Sequence, residues 1–310
     1  MLHSGDTITL GLGQYQLHAP LASSSYGSVW RSDGAALKFI NRAQMERARS
    51  DQRERWIDSA HNEIAFLRSL APWDERHIVR LLDVGSHDAL PVMALELLDG
   101  DLASFVKAER SAGRRIALPL ILGWLGQINQ ALAKVHQYGW RYLDLKPANV
   151  LLDARRGTVK LADFGTNRLL QDLHPHSYAG TANWQAPEQF FPTGEHSYET
   201  DARTDYFALG AMLYYLVSGG LPLRFCSDCG QAYRAHQTGG AYMLREQNGR
   251  AIPATLRDDE AALFVERIKG QGDSDAALAL LRTLLHQDRA QRPQHAIDIS
   301  RMLGAIRSTR

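Results

Sequence analysis

The sequence has little cysteine, little lysine and no long apolar run, and the first and last of these shortages each exclude a class of protein. Two cysteines in 310 residues exclude a disulfide framework and favour a reducing compartment. The apolar stretches end well short of the roughly 18 residues that a membrane-spanning helix needs. The first residues also lack the basic-then-apolar order of a signal peptide. We therefore expect a soluble, cytoplasmic protein with no membrane partner.

The chain also lacks an excess of charge of either sign. Its 35 basic and 34 acidic residues leave a net charge of +1, which argues against nucleic acid as a partner. Only six of the basic residues are lysine, so a lysine within a motif is unlikely to stand there by chance. A hydrophobic content of 45% and a charged content of 22% are typical of a soluble globular enzyme.

Strand patterns dominate the first third of the chain and helical patterns the rest. Short β-rich runs separated by Gly, Ser and Asp occupy residues 8 to 40, and two more strand candidates lie near residues 79–84 and 90–95. A helical pattern ends at Leu70. This order predicts an α+β fold of two lobes, with an N-lobe at about 1–97 and a C-lobe at about 98–310.

Three long helices are predicted in the second part. Apolar residues from Leu122 to Val135 recur on one helical face. Residues 204–217 predict a helix that is buried almost all round and ends at Gly219-Gly220. A last helix is predicted at about 294–306.

Two segments carry the residue types that phosphoryl transfer requires. One runs from Tyr142 to Asn149, and the other is Asp163-Phe164-Gly165, fourteen residues later. Such a reaction needs a group that orients the attacking hydroxyl and oxygen ligands for magnesium. Asp144 suits the first task, and Asn149 and Asp163 suit the second. Lys146 can place a positive charge beside the transferred phosphate.

With these motifs the chain resembles the eukaryotic-type (Hanks-type) serine/threonine protein kinases over nearly its full length. The resemblance implies an enzyme that uses ATP and Mg²⁺ to phosphorylate Ser or Thr of a protein substrate. It implies that Lys38, in Ala36-Leu37-Lys38, holds the ATP phosphates and pairs with Glu63. Because the spacing of 25 residues is long, Glu54 is a second candidate for that partner.

The resemblance also implies an adenine site. Leu95 would be the gatekeeper, and residues 96–98 the hinge whose backbone binds the base. Val29, Ala36 and Leu151 are expected to enclose the base, and Glu96 and Leu98 belong to the hinge. Leu21 and Gly27 belong to the loop that is expected to cover the phosphates.

Three later segments match landmarks of the family. Residues 180–188 resemble the end of the activation segment, the stretch that begins at Asp163, and Arg292 stands where the partner of Glu188 belongs. Asp205 resembles the aspartate that supports the backbone of the catalytic loop. Thr181 resembles the threonine that contacts Asp144 and Lys146 in serine/threonine enzymes.

The phosphate-covering loop departs from the family pattern. Glycine is expected at positions 22, 24 and 27, and only Gly27 is present. Because glycine lets the backbone approach phosphates closely, Ala22 and Ser24 predict looser nucleotide binding. The hydroxyl of Ser24 or Ser25 offers partial compensation as a donor.

A second departure precedes Asp144, where Tyr142-Leu143 replaces the usual His-Arg. In the family that arginine holds a phosphate on the activation segment. With leucine in its place, we expect that phosphorylation of the activation segment, at Thr166, Ser177 or Tyr178, is not the activity switch.

A stretch from about 224 to 272 is longer than the family needs at this place, and predicts either a partner-binding insertion or a mobile loop. It contains Cys226 and Cys229, which have the spacing of half a zinc site, with His236 as a possible third ligand. Since there is no second such cysteine pair, two free thiols on an inserted loop are the preferred interpretation.

Two other functions compete with an active protein kinase. A pseudokinase that serves as a scaffold would explain the reduced glycine loop and the absent His-Arg, but it has no chemical need for Lys38, Asp144, Asn149 and Asp163 together. A small-molecule kinase of related fold would share the aspartates but not residues 186–188 with their Arg292 partner.

Overall fold

The computed structural model describes residues 2–23, 27–47, 50–172, 180–194 and 197–308. Their backbone contacts divide the chain into two compact units. Unit 1 consists of Met1–Asp99 and Ala162–Gly165, and unit 2 of Gly100–Leu161 and Thr166–Arg310. Strands dominate unit 1 and helices dominate unit 2, so the predicted α+β fold class is confirmed.

Unit 1 contains seven strands and two helices among its described residues. The strands are β1 (Thr7–Thr9), β2 (Gln14–Gln16), β3 (Pro20–Ser23), β4 (Gly27–Ser32), β5 (Ala35–Ile40), β6 (Leu81–His87) and β7 (Leu90–Glu96). The helices are α1 (Arg42–Arg47) and α2 (Ser50–Ser69). Strands β3 to β7 form an antiparallel sheet of order β3-β4-β5-β7-β6.

The β1–β2 hairpin covers one face of this sheet. Its residues Ile8, Leu10 and Leu17 are buried against Leu37 and Phe39 of β5. Strand residues alternate between two faces, so β5 also presents Lys38 to the face opposite this core. The sheet thus fixes the position of Lys38 through its neighbours in the strand.

Unit 2 is mainly helical. Its helices are α3 (Leu102–Ser111), α4 (Leu118–Gln137), α5 (Pro187–Phe190), α6 (Ala202–Ser218), α7 (Arg224–His236), α8 (Gly240–Gln247), α9 (Asp258–Ile268), α10 (Ser274–Leu284) and α11 (Ala296–Ser308). Its short strands are β8 (Gly100–Asp101), β9 (Trp140–Arg141), β10 (Val150–Asp153), β11 (Thr158–Leu161) and β12 (Arg168–Leu169).

Helix α6 lies at the centre of this unit and is buried on nearly every side, as its apolar sequence predicts. The side chain of Asp201 accepts a hydrogen bond at its N-terminus, and Gly219 ends it in the left-handed conformation, with φ of 74°. Helices α4, α9 and α10 pack around α6. The core of unit 2 is therefore built on α6, which also carries Asp205.

The stretch 224–272 is largely helical and is not the mobile loop that was one of its two predicted forms. Helices α7, α8 and α9 all lie within it. In α7 the buried residues Phe225, Cys226, Cys229 and Ala232 follow helical spacing, so they form one apolar face. Among the helices of the described ranges, none is both long enough and apolar enough to cross a membrane.

Candidate active site

Unit 1 places Lys38 between two carboxylates. Its Nζ donates to Glu63 Oε2 and to Asp163 Oδ1, at 2.7 Å each. Strand β5 supplies the lysine, helix α2 supplies Glu63, and Asp163 belongs to the short segment 162–165 that joins this unit. The structure thus pairs Lys38 with Glu63, whereas Glu54 is an exposed residue of the same helix.

The two carboxylates determine the charge of the lysine. Burial alone would lower the pKa of Lys38, but the charges of Asp163 and Glu63 outweigh it, so that its pKa is raised. Burial raises the pKa of Glu63, and the ammonium of Lys38 opposes that shift. Lys38 therefore stays protonated at neutral pH and offers a fixed positive charge. The side chain of Asp163 remains 47% exposed, so one face of this carboxylate is accessible.

The residues after Asp163 hold the segment against helix α2. The rings of Phe164 and Phe66 lie 4.6 Å apart between centroids, and Ser59 Oγ donates to the Gly165 carbonyl at 2.9 Å. A Cβ atom at position 165 would clash with the hydroxyl of Ser59 unless that side chain turned away. Glycine thus allows helix α2 to approach the segment that carries Asp163.

Unit 2 assembles a second cluster around Asp144. Lys146 Nζ donates to Asp144 Oδ2 at 2.7 Å and to Thr181 Oγ1 at 2.8 Å. Thr181 Oγ1 in turn donates to Asp144 Oδ1 at 2.8 Å. Both carboxylate oxygens are thus engaged, and the orientation of Asp144 is fixed.

Asn149 completes this cluster. Its Nδ2 donates to the Asp144 carbonyl and to Asp144 Oδ2, at 3.0 Å each. Because the amide nitrogen makes these bonds, the amide oxygen is the atom available to a cation. The antiparallel pair β10–β11 follows directly and anchors the segment.

The backbone before Asp144 is held by two side chains. Asp205, on α6, accepts from the backbone N–H of Tyr142 at 2.9 Å and of Leu143 at 2.7 Å. Gln189 donates to the Leu143 carbonyl at 2.9 Å. Leu143 adopts a φ of 66°, a conformation that is costly for a branched residue. These bonds hold the strained residue in place immediately before the aspartate.

Glu188 and Arg292 form a bidentate ion pair, with N–O distances of 2.7 and 2.9 Å. Arg292 is 2% exposed and also donates to the carbonyl of His286 at 2.8 Å. The pair joins the end of the activation segment to the chain before α11.

The predicted adenine and phosphate residues lie in both units. Val29 and Ala36 belong to the paired strands β4 and β5, and Leu95 and Glu96 end β7. Leu21 lies on β3 and Leu98 follows β7, whereas Leu151 lies on β10 of unit 2. A Cβ at Gly27 would stand 2.7 Å from the Phe39 carbonyl, so the close pairing of β4 and β5 itself requires glycine. Ser24 and Ser25 lie outside the described residues.

Of the three positions at which phosphorylation is expected not to switch activity, Ser177 and Tyr178 lie outside the described residues. Thr166 is described, and its hydroxyl donates to the Tyr142 carbonyl at 3.2 Å. This hydroxyl is therefore part of the contacts that hold the catalytic loop.

Cys226 and Cys229 lie on helix α7 and are buried, so the predicted placement on a loop is wrong. Burial raises the pKa of both thiols, which favours their protonated form. In the described ranges no three His, Cys, Asp or Glu side chains are grouped as a metal site would require.

Two residues near the catalytic loop were not anticipated from the sequence. His136 Nε2 lies 2.8 Å from Asp205 Oδ2. Arg141, directly before Tyr142, is 1% exposed and donates to the carbonyls of Thr200 and Asp172. The one available signal was the position of Arg141 between two aromatic residues, Trp140 and Tyr142.

Comparison with known proteins agrees with this geometry. Residues 23–301 match the profile of the family described as protein kinase domain. The chain is 27% identical to the serine/threonine-protein kinase pkn2 of Myxococcus xanthus. The match covers 96% of this chain and 33% of that kinase. It is 30% identical to the serine/threonine-protein kinase pim-2 of Danio rerio, over 69% of this chain and 71% of the relative.

A third relative is the serine/threonine-protein kinase A of Synechocystis, which is 31% identical over 72% of this chain and 44% of the relative. The chain belongs to the protein kinase family. Its match spans about a third or less of the first bacterial relatives, the Myxococcus kinases Pkn1 and pkn2 among them.

Proposed function

We propose that this chain is an active serine/threonine protein kinase that uses ATP and Mg²⁺. The observation that carries the proposal is the Asp144 carboxylate, which is held by Lys146, Thr181 and Asn149 in one hydrogen-bonded cluster. The names of the relatives support the same class. The proposed partner is a protein that presents Ser or Thr, and the proposed location is the cytoplasm. Nucleic acid and membrane have no part in this proposal.

Each residue has a task that its environment supports. Asp144 orients the acceptor hydroxyl and takes its proton as the hydroxyl oxygen bonds to the γ-phosphorus and the bond from that phosphorus to the leaving oxygen breaks. Lys146, 2.7 Å from Asp144, offsets the negative charge that gathers on the transferred group. Lys38, kept protonated by Glu63 and Asp163, binds the ATP phosphates.

The donor set also fits magnesium. The proposed ligands are the amide oxygen of Asn149 and the exposed face of the Asp163 carboxylate, and both are the hard oxygen donors that this ion prefers. Magnesium, when bound, supplies positive charge to the phosphates. The adenine site proposed from the resemblance comprises Leu21, Gly27, Val29, Ala36, Glu96, Leu98 and Leu151.

The test is transfer of labelled phosphate from ATP to a generic protein substrate. We expect incorporation on Ser or Thr that requires magnesium and falls at least a hundredfold in Asp144→Asn and Lys38→Met. The matched controls Asp275→Asn and Lys107→Met change exposed residues and should retain wild-type rates. ATP binding without any incorporation would instead identify a pseudokinase scaffold.

A small-molecule kinase has less support. The buried Glu188–Arg292 pair belongs to the activation segment that the resemblance assigns to protein kinases. We also propose that residues 1–310 form a single kinase domain, with lobes at about 1–97 and 98–310, in which 224–272 is an insertion.

A further inference from the structure

Arg141 is an unusual residue to find in the interior of unit 2. Its guanidinium remains charged at any ordinary pH, yet the residue is 1% exposed. Within the described ranges no carboxylate lies close enough to form an ion pair with it. Instead Nη1 donates to the Thr200 carbonyl at 2.9 Å and Nη2 to the Asp172 carbonyl at 2.8 Å. Among the described residues, no acceptor lies within hydrogen-bonding distance of its Nε.

The surroundings of Arg141 make its burial more costly. Its register partner on β12 is Arg168, so two like charges stand directly opposite each other. Burial and this neighbour lower the pKa of Arg141, whereas the charges of Asp172, Asp205 and Asp201 partly oppose that shift. Arg168 has its own partner in Asp172, at 2.8 Å. For stability alone, an apolar residue at position 141 would serve as well or better.

The two carbonyls that Arg141 binds identify what it does. Asp172 lies in the activation segment soon after β12, and Thr200 directly precedes Asp201, the N-cap of α6. Arg141 itself stands three residues before Asp144. One side chain thus joins the strand that leads into the catalytic loop to the activation segment and to the N-terminus of α6.

A reciprocal contact comes from α6. Asp205 accepts from the backbone N–H groups of Tyr142 and Leu143, the two residues that follow Arg141. The side chain of Arg141 therefore reaches from the loop to the start of α6, and the side chain of Asp205 reaches from α6 back to the loop. Between these contacts lies Leu143, whose φ of 66° requires such support.

We propose that Arg141 is a positioning residue that fixes the catalytic loop by binding the backbone at Asp172 and Thr200, so that no phosphate group is needed for this purpose. The inference rests on the proposed kinase function and deepens it. An internal guanidinium on β9 takes the place of a phosphate-binding arginine at position 143, which is leucine here. The bonds that it makes are to backbone, and are therefore present whatever the phosphorylation state of the chain.

The test compares Arg141→Met with wild type and with Arg156→Met, a matched control at an exposed arginine of the β10–β11 turn. We expect kcat for protein phosphorylation to fall at least tenfold in Arg141→Met, while the KM for ATP changes less than twofold because Lys38, Glu63 and Asp163 are untouched. Arg141→Lys keeps the charge but loses the two-armed geometry, so its kcat should lie between those of wild type and Arg141→Met. Phosphatase treatment of wild type should change its rate less than twofold.

Hydrogen exchange provides a readout that needs no catalysis. Peptides that cover 140–145 and 200–205 should exchange at least tenfold faster in Arg141→Met, with strands β4 and β5 unchanged. An unchanged exchange pattern would refute the inference even if wild type transfers no phosphate, in which case the proposed function fails separately. Loss of wild-type activity on phosphatase treatment, restored by preincubation with ATP, would also overturn it. Should Arg141→Met not fold, Arg141→Lys is compared in the same two measurements.

Discussion

At the scale of single residues, the Lys38–Glu63 pair gives the sharpest test of how nucleotide is held. Glu63 is 1% exposed and its Oε2 lies 2.7 Å from Lys38 Nζ. In Glu63→Gln the charge of the partner is lost but the shape is kept, so Lys38 moves toward Asp163 and away from the phosphates. We expect the KM for ATP to rise about tenfold, which corresponds to about 1.4 kcal/mol of binding free energy.

The matched control for this prediction is Glu54→Gln on the same helix. Glu54 was the second candidate from spacing alone, and it is exposed. Steady-state kinetics with varied ATP should give wild-type values for this variant. A raised KM in Glu54→Gln, with no effect in Glu63→Gln, would reverse the assignment.

Residues whose identity carries the chemistry were predictable from the sequence. Lys38, Asp144 and Asn149 stand in motifs whose spacing is informative, and the structure places the last two within hydrogen-bonding distance of each other. Arg141 and His136 were not predictable, because their roles depend on tertiary contacts. The acceptors of Arg141 are backbone carbonyls, and any residue at positions 172 and 200 would supply them.

At the scale of elements, hydrophobic period predicted the strands of unit 1 and the long helices α4, α6 and α11. The helices of the stretch 224–272 were not predicted. A mobile loop was one of its two predicted forms, whereas the apolar face of α7 begins at Phe225 and continues to Ala232. Burial of that face against the rest of unit 2 outweighs the weak intrinsic preference of the segment.

The β1–β2 hairpin lies before the residues that match the family profile, which begins at 23. Asp83 on β6 holds it in place, because one of its oxygens accepts from the Leu12 N–H at 2.8 Å and from the Tyr15 hydroxyl at 3.1 Å. The hairpin also supplies Ile8, Leu10 and Leu17 to the core on one face of the sheet. It is therefore an integral part of unit 1.

We expect Asp83→Ala to destabilise unit 1 by about 1–3 kcal/mol, because the buried acceptor is lost and the donors of the hairpin are left without it. Urea unfolding followed by tryptophan fluorescence measures the change. Asp33→Asn, at a side chain that is 83% exposed, serves as the control and should unfold like wild type. If Asp83→Ala also unfolds like wild type, the hairpin is not held through this carboxylate.

At the scale of the whole molecule, hydrogen bonds and ion pairs between residues far apart in the sequence hold the catalytic loop and the activation segment in place. Asp205 bonds to residues 62 and 63 positions earlier, and Glu188 pairs with an arginine 104 positions later. Such contacts follow from the fold, so their geometry could not be read from local patterns. The resemblance to the family nevertheless predicted that Asp205 supports the catalytic loop and that Glu188 pairs with Arg292.

In the Glu188–Arg292 pair the arginine side chain is fully buried, and its guanidinium also lies 5.1 Å from the ring centre of Phe207. Removal of one partner leaves an uncompensated charge in the interior. We expect Arg292→Met to destabilise the protein by about 3–5 kcal/mol, and the double variant with Glu188→Gln to recover part of that loss. Chemical denaturation of the four members of the cycle gives the coupling energy.

Arg114→Met, which removes an exposed pair with Glu109, is the control and should leave the unfolding midpoint nearly unchanged.

The cycle also separates stability from catalysis. Glu188 ends the activation segment close in sequence to Thr181, which binds Asp144, so loss of the pair should lower kcat even where the protein remains folded. A double variant with restored stability but low kcat would show that the pair positions the segment. Full recovery of both would limit its role to stability.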